Sequence, residues 1–280
     1  MPSLHRTGRN AKFLFGGTVI GAIILVAIFA NWIAPYDPLK QNLLQRLTPP
    51  FWMTGGSYAY LLGTDNYGRD ILSRLIYGAR VSLLIATASM LLSCLLGVVA
   101  GLVAGYKGGK IEQVIMRFAD AHMAFPQILL AIVVVAAFGG GTVNLILVLG
   151  ISQWMIYARV VFNMTRSMRQ RPFVEAAISF GAGDRYILIH HLLPQFIPVI
   201  TVLATLQIAQ MILQETALSF LGLGVPLPAP TWGNILAEGR SQLFGASWIA
   251  NSAGISIMIL VLAVNFFGSG LRKLLSSSES

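Results

Sequence analysis

Few residues of this sequence could do chemistry, and their spacing assembles no reaction centre. Gly105-Tyr106-Lys107-Gly108-Gly109-Lys110 carries the glycines and lysine of a phosphate loop. It misses the Gly-x-x-x-x-Gly-Lys-Ser/Thr spacing, and Ile111 stands where a hydroxyl would meet magnesium, so it reads as a flexible turn. His190 and His191 are neighbours. Adjacent side chains on a helix diverge by about 100°, which suits a structural pair better than a chelate. Cys94 is the single cysteine, which excludes an internal disulfide and a cysteine-based metal site; it reads as small apolar packing. His-Glu-x-x-His, Cys-x-x-Cys and Gly-x-Ser-x-Gly are absent. Asp120 and Glu215 border long uncharged stretches and are expected at helix ends, where water or headgroups reach them. The expectation is a chain without catalytic residues, metal ligands or a cofactor of its own.

The elements that would carry these residues are apolar. Of 280 residues 56% are hydrophobic and 10% are charged, against about 25% charged in soluble domains. Such a chain cannot cover a water-facing surface and is solvated by lipid. The net charge of +9 could suggest nucleic acid. The lysines and arginines instead fall in short runs between uncharged stretches, as topology signals do.

A spanning helix takes about 20 apolar residues. Six candidates follow: 14–34, 81–104, 121–138, 143–158, 196–214 and 249–270. Arg6, Arg9 and Lys12 precede the first like the start of a signal peptide, but Trp32, Pro35 and Tyr36 follow it in place of a small-residue cleavage site, so a retained helix is expected. Gly139-Gly140-Gly141 divides the third candidate from the fourth. Segment 216–237 is uncharged but holds Pro226, Pro228 and Pro230, which no ordinary helix accommodates; an ordered loop is expected. Segments 1–13, 105–120, 159–192 and 271–280 hold thirteen of the 19 lysines and arginines. By the positive-inside rule they are cytoplasmic, with both termini inside and segments 35–80 and 215–248 outside. Within 35–80, Ile71, Leu72, Leu75 and Ile76 predict a short amphipathic helix at the interface. The tail 276–280 reads as a frayed end.

The most informative segment is 159–192. Arg171 to Gly181 predicts a short helix. Pro172 suits its first turn and Glu175 its positive end. Phe173, Ala177 and Phe180 are expected on one face. Ala176 and Ala177 leave room for another surface, Gly181 and Gly183 end or bend the helix, and Asp184 caps a second helix running to Pro194. The result is a rigid knob outside the membrane.

This segment resembles the coupling loop of ABC-transporter permeases. Glu175-Ala176-Ala177, Gly181 and Leu193-Pro194 match its spacing, with His191 at the hydrophobic position. Leu62-Gly63-Thr64-Asp65-Asn66-Tyr67-Gly68-Arg69-Asp70-Ile71-Leu72-Ser73-Arg74 and Leu218 to Pro226, continuing to Trp232, are similar to the second permease subunit of the oligopeptide/dipeptide/nickel importers; Arg117 to Pro126 is a third, weaker likeness. Together these cover about residues 30 to 272. The tail departs, ending in Gly268-Ser269-Gly270-Leu271-Arg272-Lys273 without the family's Asp-Pro.

The resemblance implies an all-α, type I ABC importer permease of a bacterial inner membrane, forming half of a pathway for di- or oligopeptides. Its implied partners are a homologous second permease, two cytoplasmic ATPase subunits that hold ATP and magnesium, and a periplasmic or lipid-anchored substrate-binding protein. It further implies that Phe173, Glu175, Ala176, Ala177, Phe180, Gly181, Leu193 and Pro194 serve ATPase docking. Gly63, Thr64, Asp65, Gly68, Arg69, Asp70, Arg74, Gly222, Gly224, Pro226 and Trp232 are then candidates for either binding-protein contact or an outer seal. Nickel, metal–chelator complexes or glutathione are alternative cargoes, and a self-contained carrier is the alternative class.

Overall fold

The computed structural model describes residues 3–276 and is all-helical there, without a strand. α1 (Ser3–Ile28) and the single turn α2 (Ala30–Ile33) lead into an irregular segment. α3 (Ile71–Lys107), α4 (Gly109–Met123), α5 (Gln127–Phe138) and α6 (Thr142–Arg169) follow. Then come α7 (Pro172–Ser179) and α8 (Asp184–Tyr186), which runs through a π-turn at Ile187–Leu192 into α9 (Leu193–Phe220). α10 (Trp232–Arg240) and α11 (Trp248–Ser276) complete the chain. Five of these helices are long and apolar enough to cross a membrane, and α4 with α5 makes a sixth crossing if that bent pair is one span. The chain is therefore a multi-pass membrane protein. The tail at 277–280 lies outside the described residues.

Several elements differ from expectation. The interfacial helix expected at residues 71–76 does not exist separately; it is the first two turns of α3, which runs unbroken for 37 residues. At 1.5 Å per residue α3 is about 56 Å long, nearly twice the hydrocarbon core. Asp70 starts it, accepting from the Ser73 amide at 2.7 Å and the Ser73 hydroxyl at 2.6 Å. Burial pushes the Asp70 carboxyl above the usual range, against the pull of those bonds.

The span expected at 121–138 is broken. Proline cannot donate and keeps its predecessor out of helical geometry, and at Phe125-Pro126 the axis turns by 89°. The fourth span runs past 158 to Arg169. The separate helices expected at 184–194 and 196–214 are one body, joined by the π-turn. There the Leu193 amide reaches back to Leu188, a five-residue step that carries the helix past Pro194.

α3 packs most extensively against α6. Gly97, Gly101 and Gly105 stack on one face of α3, and a methyl on any of them would strike α6: the carbonyl of Trp154, that of Ala158 at 2.5 Å and that of Phe162 at 2.8 Å. Small residues at four-residue spacing let two backbones meet where apolar lipid offers no hydrophobic drive. α1 lies on α11 through Phe13 and Phe267, whose rings stack at 4.7 Å.

Candidate functional site

The two ends of the bundle carry the residues singled out by sequence. At one end, α7 packs against the ends of the long helices. Pro172 opens it, Glu175 lies in its first turn, and Phe180 caps it. The Ala182 amide bonds to Ala177 O at 3.0 Å and the Gly181 amide to Ile178 O at 2.9 Å. That pair of bonds is a Schellman stop and requires a left-handed residue; Gly181 supplies it at φ +81°.

Val174 is wholly buried in a cluster with Tyr106, Val161, Ile187, Leu192 and Phe196, and Ala177 packs against the same cluster. The docked face is thus Val174 and Ala177, not the free face expected of Ala177. Phe180 and Ile178 project, 91% and 52% exposed; Phe173, Glu175 and Ala176 are exposed beside them. Phe173 and Ala177 lie one turn apart within α7, Ala177 half-buried and Phe173 at the exposed margin, while Phe180 is the C-cap residue just past the helix. Leu193 is half-buried and Pro194 exposed at the start of α9. The Tyr106 hydroxyl donates to Asp184 at 3.1 Å, and Arg169 lies over the Tyr106 ring at 5.5 Å. The knob is therefore braced by the ends of α3, α6 and α9. Tyr186 stacks on His190 at 4.5 Å, and no metal-binding group occurs among the described residues.

At the opposite end, the segments 63–74 and 222–232 form one structure. Asp65 and Glu238 face Arg69 and Arg74. Arg69 Nε donates to Asp65 Oδ2 at 2.6 Å, and its Nη2 to Glu238 Oε2 at 2.8 Å. Arg74 Nη1 donates to both carboxylates at 2.6 Å, and its Nη2 to Glu238 Oε1 at 3.1 Å. Arg74 is wholly buried and Glu238 only 15% exposed. Two cations and two anions out of water compensate one another, whereas a single one left there would be strongly destabilising.

Trp232 Nε1 donates to Leu75 O at 2.9 Å, and its ring covers Gly78. Trp248 Nε1 donates to Thr64 O at 3.1 Å. Gly63 and Gly68 are buried with φ +79° and +70°; at Gly68 a side chain would overlap the Asn42 backbone. Gly224 is buried on Ser219, while Gly222 and Pro226 are exposed. Most of this set is thus interior. Exposed apolar residues of this end include Leu44, Trp52 and Tyr58, 94%, 60% and 82% exposed; sequence reasoning passes over them because 35–62 has no periodicity.

Beneath this cap lies Glu215, which is not at a wet helix end as expected. It is wholly buried in α9, accepting from Ser219 at 2.8 Å and from Ser82 at 3.4 Å. Asp120 is exposed and paired with Arg159.

Comparison with known proteins matches residues 97–279 to the family described as "Binding-protein-dependent transport system inner membrane component". Residues 3–50 match the "N-terminal TM domain of oligopeptide transport permease C". The chain is 41% identical to a di/tripeptide transport system permease protein DppC of Pseudomonas aeruginosa, over 96% of this chain and 87% of that one. It is 39% identical to a glutathione transport system permease protein GsiD of Pectobacterium atrosepticum (91% and 83%) and to a nickel transport system permease protein NikC of Escherichia coli (91% and 90%). Among solved structures, a chain of the inward-facing MetNI methionine ABC transporter superposes with a TM-score of 0.59 at 19% identity, covering 73% of this chain and 96% of that one. That likeness concerns the fold.

Proposed function

The chain belongs to the family of binding-protein-dependent transport system inner membrane components, and we propose that it is the permease that forms half of a di- or tripeptide pathway. The relatives named for di/tripeptides and dipeptides support this cargo. Those named for glutathione and nickel mark the neighbouring specificities. A homologous permease supplies the other half, and two ATPase subunits supply the hydrolysis.

The observation that carries the mechanism is the braced knob at α7. Val174 and Ala177 fix it to α3, α6 and α9 while Phe173, Ile178 and Phe180 remain exposed. Apolar aromatic surface of this kind fits a groove on a soluble partner. When the ATPase pair closes on ATP, the knob moves with its groove, and the rigid seating passes that motion to the long helices as a change of access. In this reading α7 is cytoplasmic and the 63–74 end faces outward. The burial of Asp65, Arg69, Arg74 and Trp232 supports their role as an outer seal, and Leu44, Trp52 and Tyr58 are the surface offered to the binding protein.

Purification of the tagged chain from its own membrane in mild detergent tests this. Recovery of a second permease and ATPase subunits is expected. A chain that comes alone, and stays alone after crosslinking in the membrane, would replace the importer with a self-contained carrier.

A further inference from the structure

Three glutamines from three helices meet where the α4–α5 pair breaks. Gln127 opens α5 directly after Pro126. Its side-chain carbonyl accepts from Gln153 Nε2 of α6 at 2.7 Å and from Gln214 Nε2 of α9 at 3.3 Å. Two enclosed amides have unmet capacity: Gln153 Oε1 and, two turns before Gln214, Gln207 Nε2. Those residues are 2% and 5% exposed.

Between Gln207 and Gln214 lies Gln210, on the same face of α9 by helical spacing and exposed. α5 packs on α9, whereas α4 packs on α3 and α6. The surrounding surface is apolar, with Phe125 and Leu129 exposed. A carboxamide is expensive against hydrocarbon, so the exposed Gln210 belongs against water or protein. Broken helices are also where transport proteins place ligand groups.

We propose that Gln127, Gln210 and Gln214 form a subsite for the peptide backbone on the wall of the pathway, an assignment that rests on the peptide reading above. A carboxamide presents a coplanar acceptor and donor, which a peptide unit can meet with its own N–H and C=O in two reciprocal bonds. Such pairing reads the backbone and ignores the side chains, as a permease passing mixed peptides requires. The Gln127–Gln214 bond, the longer of the pair, is the one an entering peptide displaces.

The test uses the assembled transporter in cells. Uptake of a labelled dipeptide is compared with uptake of the same dipeptide methylated at its peptide nitrogen, which keeps the carbonyl and loses the donor. Discrimination by the binding protein is common to every strain, so only a change in the ratio reports on the permease. Of Gln210→Leu and Gln214→Leu, the one that removes the acceptor of the single peptide N–H should lower the preference for the unmethylated peptide about tenfold, the worth of one hydrogen bond, and asparagine at that position should restore part of it. In a Cys94→Ser background, Gln210→Cys should react with a water-soluble thiol reagent, more slowly when dipeptide is in excess. Import with an unchanged ratio in both leucine variants would overturn this assignment alone. So would a Gln210→Cys chain that reacts only with a lipid-soluble reagent. Failure of the wild type to import either peptide would overturn the proposed function and this subsite with it.

Discussion

Arg74 shows how far single residues can be read. Its place after the Gly63–Asp70 run marks it for attention, but its partner Glu238 is 164 positions away, and in sequence Glu238 reads as an ordinary loop charge. Only folding makes the two meet. Glu238→Gln preserves shape while leaving two buried guanidinium groups against one carboxylate, and it should cost about 3 kcal/mol. The thermal midpoint of the purified protein checks this. The Asp65→Asn/Glu238→Gln pair should lose at least the two single losses together, since it leaves both guanidinium groups buried with no carboxylate. Trp232→Phe keeps the ring over Gly78 and removes the bond to Leu75; a loss of about 1 kcal/mol is expected in the same assay. Glu215 escapes a sequence reading because it lies beside a proline-rich loop, while its burial depends on Ser82 and Ser219 closing around it.

At the scale of elements, α7 is legible in sequence: Pro172, Glu175 and Gly181 carry start, polarity and stop in their own chemistry. Which face docks is not, because it depends on where Tyr106, Ile187 and Phe196 arrive from other helices. Two predictions belong here. Gly181→Ala meets no neighbouring atom, so it carries only the left-handed backbone penalty of about 1–2 kcal/mol; it should leave membrane insertion intact and lower transport per ATP hydrolysed, measured in proteoliposomes with the ATPases. In a Cys94→Ser background, Ala176→Cys should crosslink to the ATPase several-fold better than Ala177→Cys, which faces its own core. The reverse order would mean that the exposed face is not the docking face.

For the whole molecule, the tightest dependence is the α3–α6 seam. Gly101→Leu would drive a branched side chain into the Ala158 carbonyl. It should abolish accumulation of folded protein, read by detergent size-exclusion at equal expression. Val99→Leu, on the exposed face of the same helix, is the comparison that should be tolerated. By itself the sequence determined that this chain crosses a membrane several times and carries a short capped helix between two spans. Both follow from local quantities, the length of uncharged runs and the spacing of proline, carboxylate and glycine. Tertiary structure decided which charges are buried together, which side of the knob is free, and which amides of three helices meet at Gln127. Those depend on contacts between residues far apart in the chain, and in an apolar chain a buried charge or amide looks the same in sequence as an exposed one until the helices around it are in place.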